Sequence, residues 1–180
     1  MIDRRFRAAN THVAAIALKG QVAAPRYVQG ETQQVIVPVA DLCATPNGPR
    51  DRQLLLGEWV HVFDTWGGWS FVQADKDGYV GYLMASQLGV GQTTSHWVSA
   101  AATHLYPRPD FKVKQTARLS LGTAVAVTTT VDRFSKTPFG WIPTVHLSAA
   151  SSRPADPVAV AERLLGTPYL WGGNSCDGID

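Results

Sequence analysis

The sequence predicts a mainly β protein: two small β-barrels in tandem, then a helix and loop that open a third, α+β unit. Three observations predict this. The middle of the chain repeats itself at offsets of 59 to 65 residues, each copy alternates apolar with polar or small positions, and helical periodicity begins only after Asp156. Composition sets the frame. The chain has 180 residues, 45% hydrophobic and 17% charged, which suits one or two globular domains and excludes wholesale disorder. Sixteen Lys and Arg against 14 Asp and Glu leave a formal charge of +2, too balanced for a dedicated nucleic-acid binder. Cys43 and Cys176 make no disulfide scaffold and lack zinc-ligand spacing. With the five histidines scattered, no metal or cofactor is expected.

Residues 1–33 form an N-terminal segment. Arg4, Arg5 and Arg7 look like the basic start of a signal sequence, but the apolar run Val13 to Leu18 stops at Lys19. That is shorter than the roughly 7–15 residues of a signal core and far short of a membrane span. A cytoplasmic protein with no membrane span is expected. The segment should pack on a barrel or on the third unit.

The barrels are expected at 34–90 and 95–150. Leu42 to Pro46 corresponds to Leu105 to Pro109, Leu54 to Val62 to Leu119 to Val127, and Gly81-Tyr82-Leu83 to Gly140-Trp141-Ile142. In the first copy Val60 and Val62 alternate as a half-buried strand requires. Trp69 to Val72 leads into Asp75-Lys76-Asp77-Gly78, where Asp-Gly signals a hairpin, and Tyr79 to Leu83 returns. A polar loop is read at Asn47 to Arg52. The second copy replaces the Asp-Gly hairpin with a shorter, proline-bearing turn at Arg133 to Phe139. Five short strands in so small a module favour closure, which removes sheet edges.

These residues resemble the bacterial SH3-like domain, through Leu42, Gly57-Glu58, Gly68-Trp69 and Gly81-Tyr82-Leu83, and in the second copy Leu105, Gly122 and Gly140-Trp141-Ile142. The resemblance implies either spacer barrels whose aromatics are core or modules that recognise cell-wall peptide or sugar. Trp66, Trp69, Trp97 and Trp141 are the aromatics that could line a groove; Trp141 shares its pattern position with Tyr82 and reads as packing.

Ser151-Ser152-Arg153-Pro154 is a linker by composition, and the third unit is expected over 155–180. Asp156 is a good helix N-cap with Pro157 at the first helical position. Val158, Ala161, Leu164 and Leu165 give an apolar stripe, so a helix of about nine residues should end at Gly166, with Pro168 blocking its resumption. Gly166-Thr167-Pro168-Tyr169-Leu170-Trp171-Gly172-Gly173, followed by Gly178-Ile179-Asp180, is similar to the opening of the NlpC-type, papain-like cysteine peptidases. That family pattern continues with Cys-Ser-Gly at the start of a helix. The resemblance therefore places the nucleophile directly after Asp180 and the histidine base further on, so no catalytic residue is expected among these 180.

A cysteine at a helix N-terminus favours its thiolate, and the free N–H groups there stabilise an oxyanion. Cys176 lies in the variable loop of the motif and reads as an incidental thiol; Cys43, at the repeat position of Tyr106, reads as half-buried structure. Tyr169, Trp171 and Asp180 are the substrate-cleft candidates the resemblance implies, with core packing the alternative for the two aromatics. The arrangement is most similar to γ-D-glutamyl-L-diamino-acid endopeptidases, which implies peptidoglycan-derived stem peptides as partners. There the first barrel helps bind a free N-terminal alanine. Tyr79 is the candidate hydroxyl and Asp41 the candidate carboxylate for that amine, with packing and a solvated turn as the alternatives. Residues 155–180 carry too few apolar groups for a core of their own, so a chain continuing past Asp180 is expected. The other reading is a non-catalytic binder of cell-wall peptides built from tandem barrels.

Overall fold

The computed structural model describes residues 3–152 and 154–180; Met1, Ile2 and, in the linker, Arg153 lie outside the described residues. The N-terminal segment contributes two short parallel strands, β1 (Ala14–Ala15) and β2 (Tyr27–Val28). It lies on the first barrel. Ala8, Val13 and Ala15 form one buried cluster with Phe63, Phe71 and Val80.

The first barrel comprises β3 (Glu31–Val35), β4 (Val39–Cys43), β5 (Arg50–Leu55), β6 (Trp59–Trp66), β7 (Trp69–Ala74), β8 (Val80–Met84) and β9 (Leu88–Gly89). They form one sheet in the order β5-β4-β8-β7-β6-β3-β9. Leu54 of edge strand β5 and Leu88 of edge strand β9 share one core with Val35, Leu42, Val60, Val72 and Leu83, so the sheet wraps around itself. Inward residues alternate: Val60 and Val62 are buried while Trp59 and His61 are half-exposed. Gly67 and Gly68 both have positive φ (59° and 82°), which makes the tight turn between β6 and β7 that a right-twisted hairpin prefers.

The second barrel comprises β10 (His96–Val98), β11 (Ala102–Leu105), β12 (Ala117–Ser120), β13 (Ala124–Val125), β14 (Thr129–Val131), β15 (Phe134–Thr137), β16 (Gly140–Pro143) and β17 (Leu147–Ala149). The pairing scheme repeats the first. β10 lies between β13 and β17 as β3 lies between β6 and β9, and β11 pairs with β12 as β4 pairs with β5. The Tyr106–Trp141 bridge is the counterpart of the Cys43–Tyr82 pair. Its core of Val98, Leu105, Leu119, Val125 and Ile142 is completed by Leu56 of the first barrel.

The remaining elements are α1 (Pro157–Glu162), β18 (Asn174–Ser175) and β19 (Gly178–Ile179). Three sequence expectations need correction. The helix spans six residues rather than nine, because Arg163, Leu164 and Leu165 donate to carbonyls three residues back and tighten the last turn. The polar loop is shorter than Asn47 to Arg52, since Arg50 to Arg52 already belong to β5. Most of Arg133 to Phe139 is strand β15, leaving Pro138 and Phe139 as the turn. Among the described residues no helix is long and apolar enough to cross a membrane.

Candidate functional site

The stretch from Pro168 to Asp180 folds into a compact loop held at both ends. Leu170 N–H donates to the Ile179 carbonyl (2.9 Å) and Ile179 N–H to that of Pro168 (3.1 Å). This brings Tyr169 beside Asp180. Gly172 N–H donates to Asp180 Oδ2 (2.9 Å), which fixes the carboxylate at the loop's turn. Slight desolvation, the negative charge of Asp180 and a hydrogen bond to it raise the Tyr169 phenol above its ordinary pKa. Both aromatics of the motif are exposed, Tyr169 at 70% and Trp171 at 57%, so core packing within these residues does not account for them. Gly172 has φ +65°, and a Cβ there would stand 2.7 Å from the Asp51 carbonyl oxygen of β5. The motif's glycine is thus where loop and barrel backbones touch.

The first barrel grips this loop through β5. Arg50 donates from Nε to the Trp171 carbonyl (2.8 Å) and from Nη1 to both carboxylate oxygens of Asp41 (3.2 Å each). Gln53 donates to Asp41 Oδ1 (3.0 Å) and accepts from Asn174 N–H (3.0 Å). Asp41 therefore holds the arginine that holds Trp171. The second barrel grips the other side: Cys176 N–H donates to Ser120 Oγ (3.0 Å), and Arg118 pairs with Asp177 (2.6 Å).

Tyr79 follows the turn that leads into β8. Its ring packs partly on the first core, meets Phe6 edge-on at 4.9 Å, and has the Arg52 guanidinium 5.1 Å from its centroid. Arg5 stands at 6.0 Å. Asp41 is engaged by Arg50 (3.2 Å), while the two guanidiniums beside Tyr79 are themselves paired, Arg52 with Asp77 (2.6 Å) and Arg5 with Asp3 (2.7 Å).

Arg50 went unread in the sequence because it lies in the stretch read as a polar loop, and Gln53 stands just past it. The repeat carried the signal: aligning Leu54 with Leu119 sets Gln53 opposite Arg118, and both positions hold the loop. Cys176 sits in the turn between β18 and β19, its Sγ accepting from Ser120 Oγ (3.3 Å). Cys43 is buried, and burial, with Asp41's charge next, pushes its thiol pKa up. The four candidate tryptophans are not one groove. Trp66 and Trp69 pair across their hairpin, whereas Trp97 is buried with Nε1 donating to the Ala149 carbonyl (3.2 Å). Among the described residues no group of three His, Cys, Asp or Glu side chains could hold a metal ion.

Residues 42–88 match the family described as the bacterial dipeptidyl-peptidase SH3 domain. No curated protein matches the chain. Among solved structures, an NlpC/P60 family protein from Bacillus cereus matches with a TM-score of 0.69 at 21% identity, over 83% of this chain and 68% of that one. NlpC2 from Trichomonas vaginalis matches with a TM-score of 0.32 at 16% identity, over 86% of this chain and 63% of that one, less than two thirds of its length. Over most of its length the chain is therefore similar in fold to the Bacillus cereus NlpC/P60 protein, and its first barrel is similar to the bacterial dipeptidyl-peptidase SH3 domain.

Proposed function

We propose that the chain belongs to a cysteine endopeptidase that hydrolyses the γ-D-glutamyl-L-diamino-acid bond of released peptidoglycan stem peptides, in the cytoplasm. The observation that carries this reading is the Tyr169-to-Asp180 loop. It presents two exposed aromatics and a fixed carboxylate at the point where the motif calls for the nucleophile, and both barrels hold it in place. Asp180 offers an acceptor for a substrate amine, Trp171 a flat face for the peptide, and Tyr169 a hydroxyl. The fold likeness to an NlpC/P60 protein and the SH3 match support the same reading.

The test is hydrolysis of L-Ala-γ-D-Glu-diamino-acid peptides by the full-length gene product, followed by mass spectrometry. Cleavage that disappears when the cysteine expected after Asp180 is replaced by alanine supports the peptidase. A stop codon after Asp180, or binding without cleavage, sinks it in favour of a peptide-binding protein. Unchanged turnover and affinity in Asp180→Ala would remove Asp180 from the site.

A further inference from the structure

The two barrels present the same outer face to different surroundings. In the first, Phe71 of β7 pairs with Tyr82 of β8, and the N-terminal segment covers them. Ala8, Val13 and Ala15 help to bury Phe71, while Arg4 and Arg26 of that segment pair with Asp51 and Asp64. In the second, register puts Lys136 and Trp141 at those two positions, and Lys136 is exposed, 5.8 Å from the indole centroid. Charge divides the same way. Residues 34–90 hold three Lys and Arg against six Asp and Glu, whereas residues 95–150 hold six against two. The acidic barrel is met by a basic segment of its own chain. Among the described residues, one carboxylate from outside pairs with the basic barrel, Asp177 with Arg118. Lys112, Lys114, Arg133 and Lys136 have no carboxylate partner there.

The surplus gathers around one loop. The chain between β11 and β12 runs over eleven residues, 106–116, against six, 44–49, between β4 and β5. The longer loop carries Arg108, Phe111, Lys112 and Lys114. Asp110 is spent on its shape, accepting from Lys112 N–H (2.9 Å) and Arg108 Nη2 (3.3 Å). Phe111 lies on Phe134 with centroids 4.4 Å apart and has the Arg133 guanidinium 5.3 Å from its own centroid. Val131 pairs with Phe134 across the hairpin, so loop and hairpin tip form one surface. Yet Phe111 is 47% exposed and Val131 43%. Two apolar tips thus stand among unpaired cations, and that combination selects the partner. A soluble polyanion would satisfy the cations but leave both tips in water. Stacking of a base needs a free ring, and that of Phe111 is already engaged by Phe134 and Arg133, while Val131 has none. An anionic lipid surface takes both features: headgroup phosphates meet the cations, and the tips enter the boundary of the acyl chains. We infer that the second barrel docks through its Phe111 loop and Val131 hairpin on an anionic phospholipid membrane surface, independently of the peptidase reading.

Flotation of the 180-residue protein with vesicles tests this, comparing phosphatidylcholine alone with an equimolar mixture of phosphatidylcholine and phosphatidylglycerol. Binding to the mixed vesicles only is expected, falling steeply as salt rises. Each cation near such a surface contributes roughly fivefold, so the double variant Lys112→Glu with Lys114→Glu should weaken binding about tenfold or more. Phe111→Ser and Val131→Ser should each weaken it several-fold. The lysines and Val131 are exposed, so their variants keep the fold, and circular dichroism verifies this for Phe111→Ser. No binding to the mixed vesicles, equal binding to phosphatidylcholine alone, or full affinity in the lysine variant overturns the inference. So does soluble polyphosphate binding as tightly as the vesicles with both serine variants at full affinity, since the face would then serve a phosphate polymer.

Discussion

Among the described residues, ten buried apolar side chains fill the first barrel, and a second cluster ties it to the N-terminal segment; the second barrel has six, one of them borrowed. That borrowed residue is Leu56, which follows β5 and inserts between barrels. Its repeat partner, Leu121, follows β12 at the same position and lines the cavity of about 280 Å³ beneath α1, facing Val160 and Leu164. One position in the repeat is thus the joint to whatever comes next along the chain. In the first barrel the joint is filled by a neighbour's core. In the second it meets a short helix and remains half-open. The backbone repeats too: Gly57 donates to the Val35 carbonyl and Gly122 to that of Val98, both at 2.9 Å.

The two joints differ most at the leucines. Leu56→Ala should cost about 3 kcal/mol, since the side chain is 2% exposed and nothing else fills its place in the second core. Leu121→Ala, half-buried beside an open cavity, should cost about 1 kcal/mol. Chemical denaturation of the two variants measures this; equal losses would mean that the joints are equivalent. The glycines differ in the same sense. Both have positive φ, 86° for Gly57 and 89° for Gly122, so alanine at either should cost about 1–2 kcal/mol in backbone strain. At Gly57 the new methyl also collides with the Ala124 backbone of the second barrel, whereas at Gly122 it meets only Leu55 Cδ1 at 3.9 Å. Gly57→Ala should therefore be the worse by roughly 1–3 kcal/mol.

The sequence showed these equivalences unevenly. Leu54 to Val62 against Leu119 to Val127 gave the alignment that pairs Leu56 with Leu121 and Gly57 with Gly122, because strand periodicity and a turn glycine are local signals. The start of β5 was hidden: Arg50-Asp51-Arg52 reads as a solvated loop, and only tertiary partners explain three charged residues in a strand, Asp41 and the Trp171 carbonyl for Arg50, Arg4 for Asp51 and Asp77 for Arg52. Tyr169, Trp171 and Asp180 stood out through motif resemblance. Arg50, which acts through the backbone of one of them, left no motif. Tyr79 and Asp41 were drawn to one pocket by analogy; their arginine neighbours, Arg52 and Arg50, are set by tertiary packing that leaves no local signal.

Gln53 and Arg118 occupy the same repeat position and both hold the terminal loop, with unequal strength. Gln53 is 7% exposed and serves Asp41 and Asn174 at once. Gln53→Ala leaves those groups short of partners at a cost of about 1–2 kcal/mol. Arg118 and Asp177 have side chains 51% and 60% exposed, and such a pair contributes under about 1 kcal/mol, less in high salt. Hydrogen exchange at residues 174–179 should accelerate clearly in Gln53→Ala and barely in Arg118→Ala. The reverse order would move the grip on the loop from the first barrel to the second.

The two thiols give the smallest effect, one without consequence for stability. Cys43 pairs with Tyr82 inside the first barrel, where burial above all, and Asp41's charge second, raise its pKa. A raised thiol pKa means less thiolate at any pH below it, so Cys43 should react slowly in neutral buffer and gain reactivity only as the solution becomes distinctly alkaline. Cys176 is half-buried in a surface turn, reached by a single hydroxyl from Ser120. A thiol-specific aromatic disulfide reagent at neutral pH should label Cys176 about tenfold or more faster than Cys43 in the folded protein, and both alike once it is denatured. The contrast belongs to the fold, so Ser120→Ala should leave Cys43 unchanged and speed Cys176 only slightly. Faster labelling of Cys43 would show that the first barrel opens near Tyr82 more readily than its packed core implies.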